Sequence, residues 1–523
     1  MPAAADRELD DRYRAACALA EDGDLAEAAE RYSELAMEAT DARRQALIAS
    51  DGGTLAALAG YCEQARAAFA TALALDPECS PAARNLATLD DVLSAERCDE
   101  IPPTNAPSEP PRTRVAIVSL LFNWPSTGGG IVHTLELAQF LERAGYDVRL
   151  IHARYEPWGI GSGAADCPFP VHTLAFTEGA WEPETVKGAF RDAVDAFAPD
   201  AVIVTDSWSF KPHLADAVRG HRYFFRTQAM ECLCPLNNSR LLPNDGGFRN
   251  CPKHQLATPE SCRECVTENE RWSGLLHRRE RAFSGAGTPE YDRLLRRTVA
   301  EAEAVLAVNP LIGEMFAPYA KAVRVVPSGF DPARFPWPRT GETMEEASPR
   351  LHRVFFAGLT EEPMKGFHVL HAACARLWEV RRDFELVATG DPPGRVDEFT
   401  RFIGWQTQAE LPHRLAESAL LAFPTIAEEA LGRSAVEAMG AGIPVVASWI
   451  GGLQFTVADG ATGLLCEPGN ADDLAAKIET LLDDPELRRR LGEAGRKRFE
   501  EQFTWDAVIA RHYRPLLGAP TRA

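Results

Sequence analysis

Short apolar runs alternate with amphipathic segments through most of this chain, and they form two series. The first contains VAIVSLLF, VRLIHA, DAVIVTD, AVLAVN and VRVVPS, which begin at Val115, Val148, Asp200, Ala304 and Val323. The second contains RVFFAG, FELVATG, SALLAFP and IPVVAS, which begin at Arg353, Phe384, Ser418 and Ile443. Continuous apolar strands separated by helices are typical of parallel sheets covered on both faces. The chain is therefore predicted to be an α/β protein with two doubly wound, Rossmann-like domains facing a cleft, where ligands bind at the carboxyl ends of the strands.

Composition separates the first part of the chain from these domains. Residues 1–98 are rich in Ala, Leu, Glu and Arg, which favour helices, and GDLAEAAERY at Gly23 is echoed by GYCEQARAAF at Gly60. The echo favours a tetratricopeptide-like α-helical repeat module, although a plain helical bundle would also explain it. Five prolines between positions 101 and 111 predict an extended linker at residues 99–113.

Bulk charge and hydropathy exclude several classes of protein. The 523 residues carry a net charge of −21, which argues against binding of a nucleic-acid backbone. No apolar run approaches the roughly 18 residues that a membrane-spanning helix needs. The acidic start, MPAAADRELDDRYR, does not resemble an export signal. We therefore expect a cytoplasmic protein with no transmembrane segment and no nucleic-acid partner.

Two segments have the composition of a ligand site. Three glycines at positions 128–130 lie between the first strand and the first helix, where a ligand can approach the backbone amides, although a flexible turn would look the same. Gly432 lies before another predicted helix, where an anion would meet free amides. Glu429 lies upstream in a loop and suits the hydroxyls of a sugar, unless it is simply solvated. Glu437 forms an S-x-x-E pattern with Ser434, so a helix cap is the alternative to a ligand-binding role.

The segment EEALGRSAVEAMGAGIPVVASWIGG resembles the E-x7-E region of glycosyltransferase family 4, whose members have the two-domain GT-B fold. STGGGIVHTLELAQFLERAGYDVRLI, VRVVPSGFDPARF, AGLTEEPMKGFHVLHAA and FIGWQTQAELPHRLAESALLAFP also match, in the family's order. The resemblance covers residues 115–517. It implies a retaining glycosyltransferase that uses a nucleotide-sugar as co-substrate and needs no catalytic metal.

The same resemblance assigns roles to individual residues. Glu437 would bind the ribose of the donor, and Glu429 would bind sugar hydroxyls near the reacting carbon. Lys365 would neutralise the departing diphosphate, a role in which a fixed cation favours the transition state. Glu429 and Lys365 are thus the predicted catalytic residues. The predicted donor-binding set is Gly129, Gly130, Lys365, Gly366, Glu429, Ala430, Leu431, Gly432 and Glu437.

The resemblance also implies a domain order. We expect an acceptor-side domain at 114–335 with a cysteine-rich insertion at 231–266, and a donor domain at 336–502. A C-terminal helix at 503–523 is expected to cross back to the acceptor domain. The acceptor is not identified by the sequence and is a peptide, a protein or a natural product. A peptide or protein partner for the helical repeats is one hypothesis, and self-association of the repeats is the other.

Two departures from the family pattern leave the chemistry open. Where the family has an arginine, Leu359 follows Gly358, so one of two diphosphate cations is absent unless Arg433 or Arg353 reaches the site. After the strand YFFRTQAM the family often has a histidine, whereas this chain has Arg226, Thr227 and Gln228. The absent arginine and the added helical repeats make a protein-binding GT-B scaffold without catalysis one alternative to a transferase. Another GT-B enzyme, such as a sugar-nucleotide epimerase, is the other alternative.

The cysteine-rich insertion predicts a metal site. Four thiolates can surround zinc tetrahedrally. The predicted ligands are Cys234, Cys251, Cys262 and Cys265, with Cys232 or His254 as substitutes. Disulfides, a redox pair and an iron–sulfur cluster are the alternatives.

Overall fold

The structure is a computed structural model that describes residues 41–58, 62–77, 112–124, 128–163, 167–237, 239–244, 247–335, 352–392 and 397–521, with scattered positions elsewhere in the first 86 residues. It divides into two compact units, residues 1–109 and 110–523. Most of the predicted linker at 99–113 lies outside the described residues. None of the helices in the described ranges combines the length and the hydropathy that a membrane crossing requires.

The first unit contains a pair of packed helices, α1 (Ala42–Leu58) and α2 (Cys62–Leu75). Small buried residues line their contact, and a Cβ atom added to Gly53 would lie 2.8 Å from Phe69 Cε1. A glycine at this position therefore lets the two helices approach closely. Much of the first copy of the predicted repeat, which begins at Gly23, lies outside the described residues. The tetratricopeptide-like module thus stays a prediction.

The second unit begins with a seven-stranded parallel sheet in the order β3-β2-β1-β4-β5-β8-β9. A separate antiparallel hairpin, β6 and β7, lies within the predicted insertion. Strands β1, β4, β5 and β8 are buried almost throughout, as their unbroken apolar runs predict. The strands are β1 Arg114–Ser119, β2 Asp147–Arg154, β3 Val171–Ala175, β4 Ala201–Thr205, β5 Tyr223–Thr227, β6 Leu241–Asn244, β7 Gly247–Asn250, β8 Ala304–Ala307 and β9 Val323–Val325.

Seven helices connect these strands. Several have proline in the first turn, where its missing N–H is not needed for helical hydrogen bonding. The side chains of Thr288 and Asn309 cap the helices that follow them. The helices are α3 Gly129–Arg143, α4 Pro183–Phe197, α5 Lys211–Ala217, α6 Pro259–Asn269, α7 Leu275–Ser284, α8 Pro289–Glu301 and α9 Pro310–Phe316.

A second parallel sheet of six strands follows, in the order β12-β11-β10-β13-β14-β15. The prediction of two parallel-sheet domains is confirmed. The strands are β10 His352–Phe356, β11 Phe384–Ala388, β12 Thr400–Phe402, β13 Leu420–Phe423, β14 Val445–Ser448 and β15 Gly463–Cys466. The helices are α10 Phe367–Val380, α11 Leu411–Ala416, α12 Arg433–Gly440, α13 Leu453–Thr456, α14 Ala471–Asp483 and α15 Pro485–Gln502.

The strand orders fix where a ligand can bind. The order reverses between β1 and β4 in the first sheet, and between β10 and β13 in the second. Connections leave these neighbouring strands toward opposite sides of the sheet, so a crevice opens at their carboxyl ends. Polar residues that directly follow these four strands are therefore the first candidates for a binding site.

The C-terminal segment leaves the second sheet domain and packs against the first. It contains α16 (Trp505–Val508), a π-helical stretch (Ile509–Tyr513) and α17 (Arg514–Leu517). Its apolar residues share a core with β1, β2 and α3. Trp505 is fully buried, stacks on Phe140, and donates a hydrogen bond of 3.2 Å from its Nε1 to Glu136. A Cβ atom at Gly329 would overlap the Trp505 ring, so glycine is required there.

We expect Trp505→Ala to destabilise the second unit by about 3–5 kcal/mol, because it removes a buried aromatic side chain and leaves a cavity. Denaturant unfolding followed by circular dichroism measures the effect. Trp449→Ala is the matched control, because Trp449 is 59% exposed. Equal losses of stability in the two variants would contradict the inferred docking of the C-terminal segment.

Candidate active site

Two helix N-termini meet across the cleft between the sheet domains. Helix α3 begins at Gly129, after β1, and helix α12 begins at Arg433, after β13. A Cβ atom added to Gly129 would lie 2.8 Å from Arg433 Cδ, so the two helix starts are close neighbours. Free amides and the positive ends of two helix dipoles therefore point into the same space, which suits a polyanionic ligand.

Glycine is required at the start of the second helix. Gly432 has a φ of 75°, in the left-handed region that favours glycine. A Cβ atom at this position would also lie 2.5 Å from Leu453 Cδ2. Gly432, and not Ser434, is therefore the N-cap of this helix, and Glu437 lies in the helix interior. The capping-box interpretation of Ser434 and Glu437 is not what the structure contains.

Lys365 and Glu429, the two predicted catalytic residues, form an ion pair of 2.8 Å between Nζ and Oε1. Lys365 ends a short 3-10 turn after β10, and Glu429 lies in the loop after β13. The charge of Glu429 raises the pKa of Lys365, so the ammonium is fully charged at neutral pH. Their side chains are 30% and 20% exposed, and both therefore remain accessible from the cleft.

Gly366 makes this position of Lys365 possible. Its φ is 73°, and a Cβ atom would overlap the carbonyl oxygen of Pro424 at the end of β13. The backbone N–H of Ile426 donates to the carbonyl of Met364, at 2.9 Å. The lysine turn and the loop of Glu429 are thus joined directly by their backbones.

Glu437 is a buried carboxylate with unused hydrogen-bonding capacity. Its Oε1 lies 3.5 Å from Arg334 Nη2 but makes no hydrogen bond with the described residues. Burial raises the pKa of Glu437, and the positive charges of Arg433 and Arg334 oppose this shift. A buried acceptor whose charge is paired but which accepts no hydrogen bond from the described residues is unusual, and its position in the cleft is that expected of a ligand-binding group.

Arg433 is a cation in the cleft, whereas Arg353 is not. Arg433 Nη2 lies 3.4 Å from Glu136 Oε2, its guanidinium covers the Phe330 ring at 4.3 Å, and its Nη1 has no hydrogen-bond partner among the described residues. Arg353 is paired at 2.8 and 2.9 Å with two glutamates of its own domain. Of the two candidate replacements for the family's arginine, only Arg433 therefore lies at the facing helix starts.

Glu136 was not anticipated from the sequence. It accepts from Arg334 at 3.3 Å, as well as from Arg433 and Trp505, and so ties both domains and the C-terminal segment together. Its position within the apolar periodicity of helix α3 marks it as inward-facing. No local pattern identifies partners that are distant in the chain.

Asp206 is a second residue that sequence reasoning missed, although it directly follows β4 at the first crevice. It is buried, has a φ of 34°, and accepts from Gln228 Nε2 at 3.3 Å. A Cβ atom at Gly130 would lie 3.5 Å from Asp206 Oδ1, so this carboxyl adjoins the glycine turn. Burial raises the pKa of Asp206 to about 7. Its position at the end of a strand next to the point of reversal was the available signal.

The three residues at the family's histidine position have different environments. The buried side chain of Arg226 donates to the carbonyl of Val326 at 2.5 Å and is therefore structural. Thr227 is buried as well. Gln228 is directed at Thr205 and Asp206, and it is the member of this group nearest to the glycine turn.

The predicted zinc ligands are free cysteines. Across the described ranges, no group of three or more His, Cys, Asp or Glu side chains is arranged to hold a metal ion. Cys232 donates to the carbonyl of Trp208 at 3.2 Å, and burial raises the pKa of Cys234 to about 11. Cys262 and Cys265 lie on one face of α6, and burial together with the nearby Cys251 thiol raises the pKa of both.

These side chains therefore do not support the zinc prediction as they are placed. Burial also lowers the pKa of His254, the alternative ligand, whose Nδ1 has no hydrogen-bond partner among the described residues. The zinc site stays a prediction. Metal analysis of the purified protein tests it, since a structural site binds one zinc ion per chain.

Comparison with known proteins agrees with this geometry. Residues 354–498, which include Lys365, Glu429 and Glu437, match the family described as Glycosyl transferases group 1. This part of the chain is thus similar to glycosyltransferase group 1 domains. The match covers the second sheet domain of the cleft and ends within α15.

Curated relatives share about half of this chain. Glycogen synthase of Mycobacterium tuberculosis H37Rv is 31% identical over 262 residues, which are 47% of this chain and 59% of the relative. The MMP alpha-(1->4)-mannosyltransferase of Mycolicibacterium hassiacum is 32% identical over 253 residues, 46% of this chain and 56% of the relative. The chain thus spans less than two thirds of the length of either protein.

Solved structures share the fold over a longer region. Sucrose-phosphate synthase from Thermosynechococcus elongatus has a TM-score of 0.55 at 19% identity, covering 78% of this chain and all of that one. The Anabaena protein HepE in complex with UDP-glucose has a TM-score of 0.53 at 15% identity, with coverage of 77% and 99%. The predicted GT-B fold of two parallel-sheet domains is thereby confirmed.

Asp206→Asn should change how folding stability depends on pH. A pKa raised to about 7 in the folded state means that wild-type stability falls as the pH rises from about 4 to about 7, because the unfolded chain releases this proton earlier. The amide cannot ionise. We therefore expect the melting temperature of the variant, relative to wild type, to be higher at about pH 8 than at about pH 5.

Thermal unfolding followed by circular dichroism at both pH values measures this difference. Asp192→Asn, at an exposed position on α4, is the control. If the melting temperatures of Asp206→Asn and wild type differ by the same amount at both pH values, the raised pKa of Asp206 is contradicted.

Proposed function

We propose that the protein is a retaining glycosyltransferase that moves a sugar from a nucleotide-sugar donor to an acceptor hydroxyl. The observation that carries the proposal is the meeting of Lys365, Glu429 and Glu437 with two opposed helix N-termini in one cleft. The relatives named as a glycogen synthase and a mannosyltransferase support a nucleotide-sugar donor.

We assign the donor to the cleft because its diphosphate is negatively charged and the two helix N-termini in the cleft are positive. Its diphosphate lies between the amides at Gly129 and Gly130 on one side and those at Leu431 and Gly432 on the other. Glu437 accepts hydrogen bonds from the ribose, and its buried Oε1 has no such donor among the residues that the structure describes. The set of donor-binding residues is completed by Gly366, Ala430 and the ion pair of Lys365 and Glu429.

Transfer then breaks the bond between the anomeric carbon and the phosphate oxygen, and the acceptor oxygen bonds to that carbon on the same face. The acceptor proton passes to an oxygen of the departing diphosphate. Lys365 stabilises the negative charge that develops on this leaving group. Glu429 orients the sugar hydroxyls and, through its ion pair, Lys365.

The position of Arg433 favours an active transferase over a GT-B scaffold without catalysis. Arg433 follows Gly432 directly, adjoins the glycine turn at Gly129, and has an Nη1 without a hydrogen-bond partner in the described part of the chain. We assign to it the second diphosphate cation that the family has after the glycine at position 358. The site then contains two fixed positive charges for two phosphates.

The acceptor is a peptide, a protein or a natural product, and the N-terminal unit bears on this choice. Packed helix pairs of the kind formed by α1 and α2 provide a groove for extended peptides in repeat proteins. We propose that residues 1–109 dock a peptide or protein. If the chain without these residues keeps the same acceptor preference and affinity, this part of the proposal is wrong.

Glu437→Ala should weaken donor binding, since it removes the buried carboxylate assigned to the ribose. Calorimetric titration with UDP-glucose, GDP-mannose and ADP-glucose identifies the donor of the wild-type protein and measures the loss. We expect a decrease of about tenfold to a hundredfold, because hydrogen bonds to a charged group contribute about 1.5–3 kcal/mol. The control is Glu379→Ala, at an exposed position on α10. Unchanged binding by Glu437→Ala would contradict the assignment of Glu437.

Lys365→Ala should slow donor cleavage much more than it weakens donor binding. A cation that acts on the departing phosphate matters most in the transition state, so we expect kcat to fall by about 100-fold or more. Release of the nucleoside diphosphate measures the rate, and calorimetry measures the binding. Lys497→Ala is the control, since Lys497 is 75% exposed. Equal effects of Lys365→Ala on binding and on rate would contradict a role in the chemical step.

A further inference from the structure

The cysteine-rich insertion of the first sheet domain contacts the loop that contains Glu429 in the second. Asn250, the last residue of β7, makes two hydrogen bonds with the backbone of this loop. Its Nδ2 donates to the carbonyl of Ile426 at 3.0 Å, and its Oδ1 accepts from the N–H of Glu428 at 3.2 Å. One side chain thus binds a donor and an acceptor of the loop's main chain.

Arg240 adds a charged contact from the same hairpin. Its Nη2 lies 3.5 Å from Glu428 Oε2, and its side chain is only 3% exposed. Arg240 also donates from Nε to the carbonyl of Cys251 at 3.0 Å, which ties it to the residue after Asn250. Its φ of 55° is unusual for a residue with a side chain and is maintained by this dense set of contacts.

A third contact lies on the other side of Glu429. Asn309, at the end of β8, donates from Nδ2 to the carbonyl of Ala430 at 2.6 Å. Residues 428 and 430 are therefore both bound by side chains of the first sheet domain. Glu429 lies between them, with its carboxylate on Lys365.

We infer that the insertion is a positioning element for the donor site, in which Asn250 and Arg240 fix the Glu429 loop against Lys365. The inference rests on the proposed function for its catalytic consequence. Asn250 and Arg240 are positioning residues, because they contact the loop backbone and Glu428 rather than a group assigned to the donor. The first sheet domain thereby contributes to the arrangement of a carboxylate in the second.

This arrangement predicts which part of the donor should be affected. The insertion contacts the loop of Glu429, which is assigned to the sugar, whereas Glu437, assigned to the ribose, lies in helix α12. A loosened loop must be ordered again when the sugar binds, and this ordering weakens binding. The nucleoside diphosphate lacks the sugar that Glu429 is assigned to bind, so its affinity should depend on the insertion much less than that of the nucleotide-sugar.

Asn250→Ala is the direct test. Asn237→Ala is its matched control, because Asn237 belongs to the same insertion and its side-chain hydrogen bonds with the described residues are to Ser239 and Leu241. The first probe is whichever of UDP-glucose, GDP-mannose and ADP-glucose the wild-type protein binds most tightly. The second probe is the corresponding nucleoside diphosphate. For Asn250→Ala we expect the affinity for the nucleotide-sugar to fall about tenfold, because two hydrogen bonds that hold the loop are lost. The affinity for the nucleoside diphosphate should fall less than about twofold.

The inference is overturned if Asn250→Ala weakens the binding of both probes equally. It is also overturned if Asn237→Ala shows the same selective loss of affinity for the nucleotide-sugar. Hydrogen exchange of the ligand-free protein provides a second test that does not depend on the proposed function. Asn250→Ala should raise the exchange rate of the Glu428 amide and leave the amides of β13 unchanged. An unchanged rate at Glu428 would also overturn the inference.

The two tests separate the two proposals. If the wild-type protein binds none of the probes, the proposed function fails, whereas the positioning of the loop is decided by hydrogen exchange. If the donor binds and Asn250→Ala behaves as wild type in both measurements, the positioning element fails and the proposed function stands.

Discussion

The parallel strands of the two sheets are the constraint on which the rest of this structure depends. Parallel strands need crossover connections, so all their carboxyl ends lie on one edge of the sheet. In both sheets the strand order reverses near the middle, and the residues after β1, β4, β10 and β13 are therefore collected at one crevice in each domain. The glycine turn, Asp206, Lys365 and Glu429 follow these four strands in that order. The C-terminal segment, anchored by Trp505 on the first domain, connects the domains a second time.

Charges in the cleft are arranged for binding rather than for stability. Among the described residues, Glu437 Oε1 and Arg433 Nη1 are buried without a hydrogen bond, and Asp206 is a buried acid with a raised pKa. The two unbonded groups are unfavourable in the absence of a ligand, since buried polar groups are normally satisfied, and burial of the Asp206 carboxyl disfavours its charged form. A diphosphate and a ribose would supply the missing partners. Local departures from good packing rules are concentrated at functional sites for this reason.

The sequence predicted the features that depend on local pattern. Unbroken apolar runs gave the two sheets, and the E-x7-E spacing with MKG identified Glu429, Glu437 and Lys365, two of which the structure brings into contact. It did not predict contacts between residues far apart in the chain, such as Glu136 with Arg433 or Asn250 with Glu428. These depend on how the two domains pack, which no local period encodes. The cysteine spacing suggested zinc, and thiol spacing alone does not determine where the side chains point.

A crystal structure of the protein with its bound nucleotide-sugar tests the central claim most directly. The account predicts that the diphosphate contacts backbone amides at both helix starts, near Gly129 and Gly432, with Lys365 and Arg433 on its oxygens. It also predicts that the ribose hydroxyls donate to Glu437 and the sugar hydroxyls to Glu429. A nucleotide bound outside this cleft, or one that contacts neither Glu437 nor Lys365, would contradict the account.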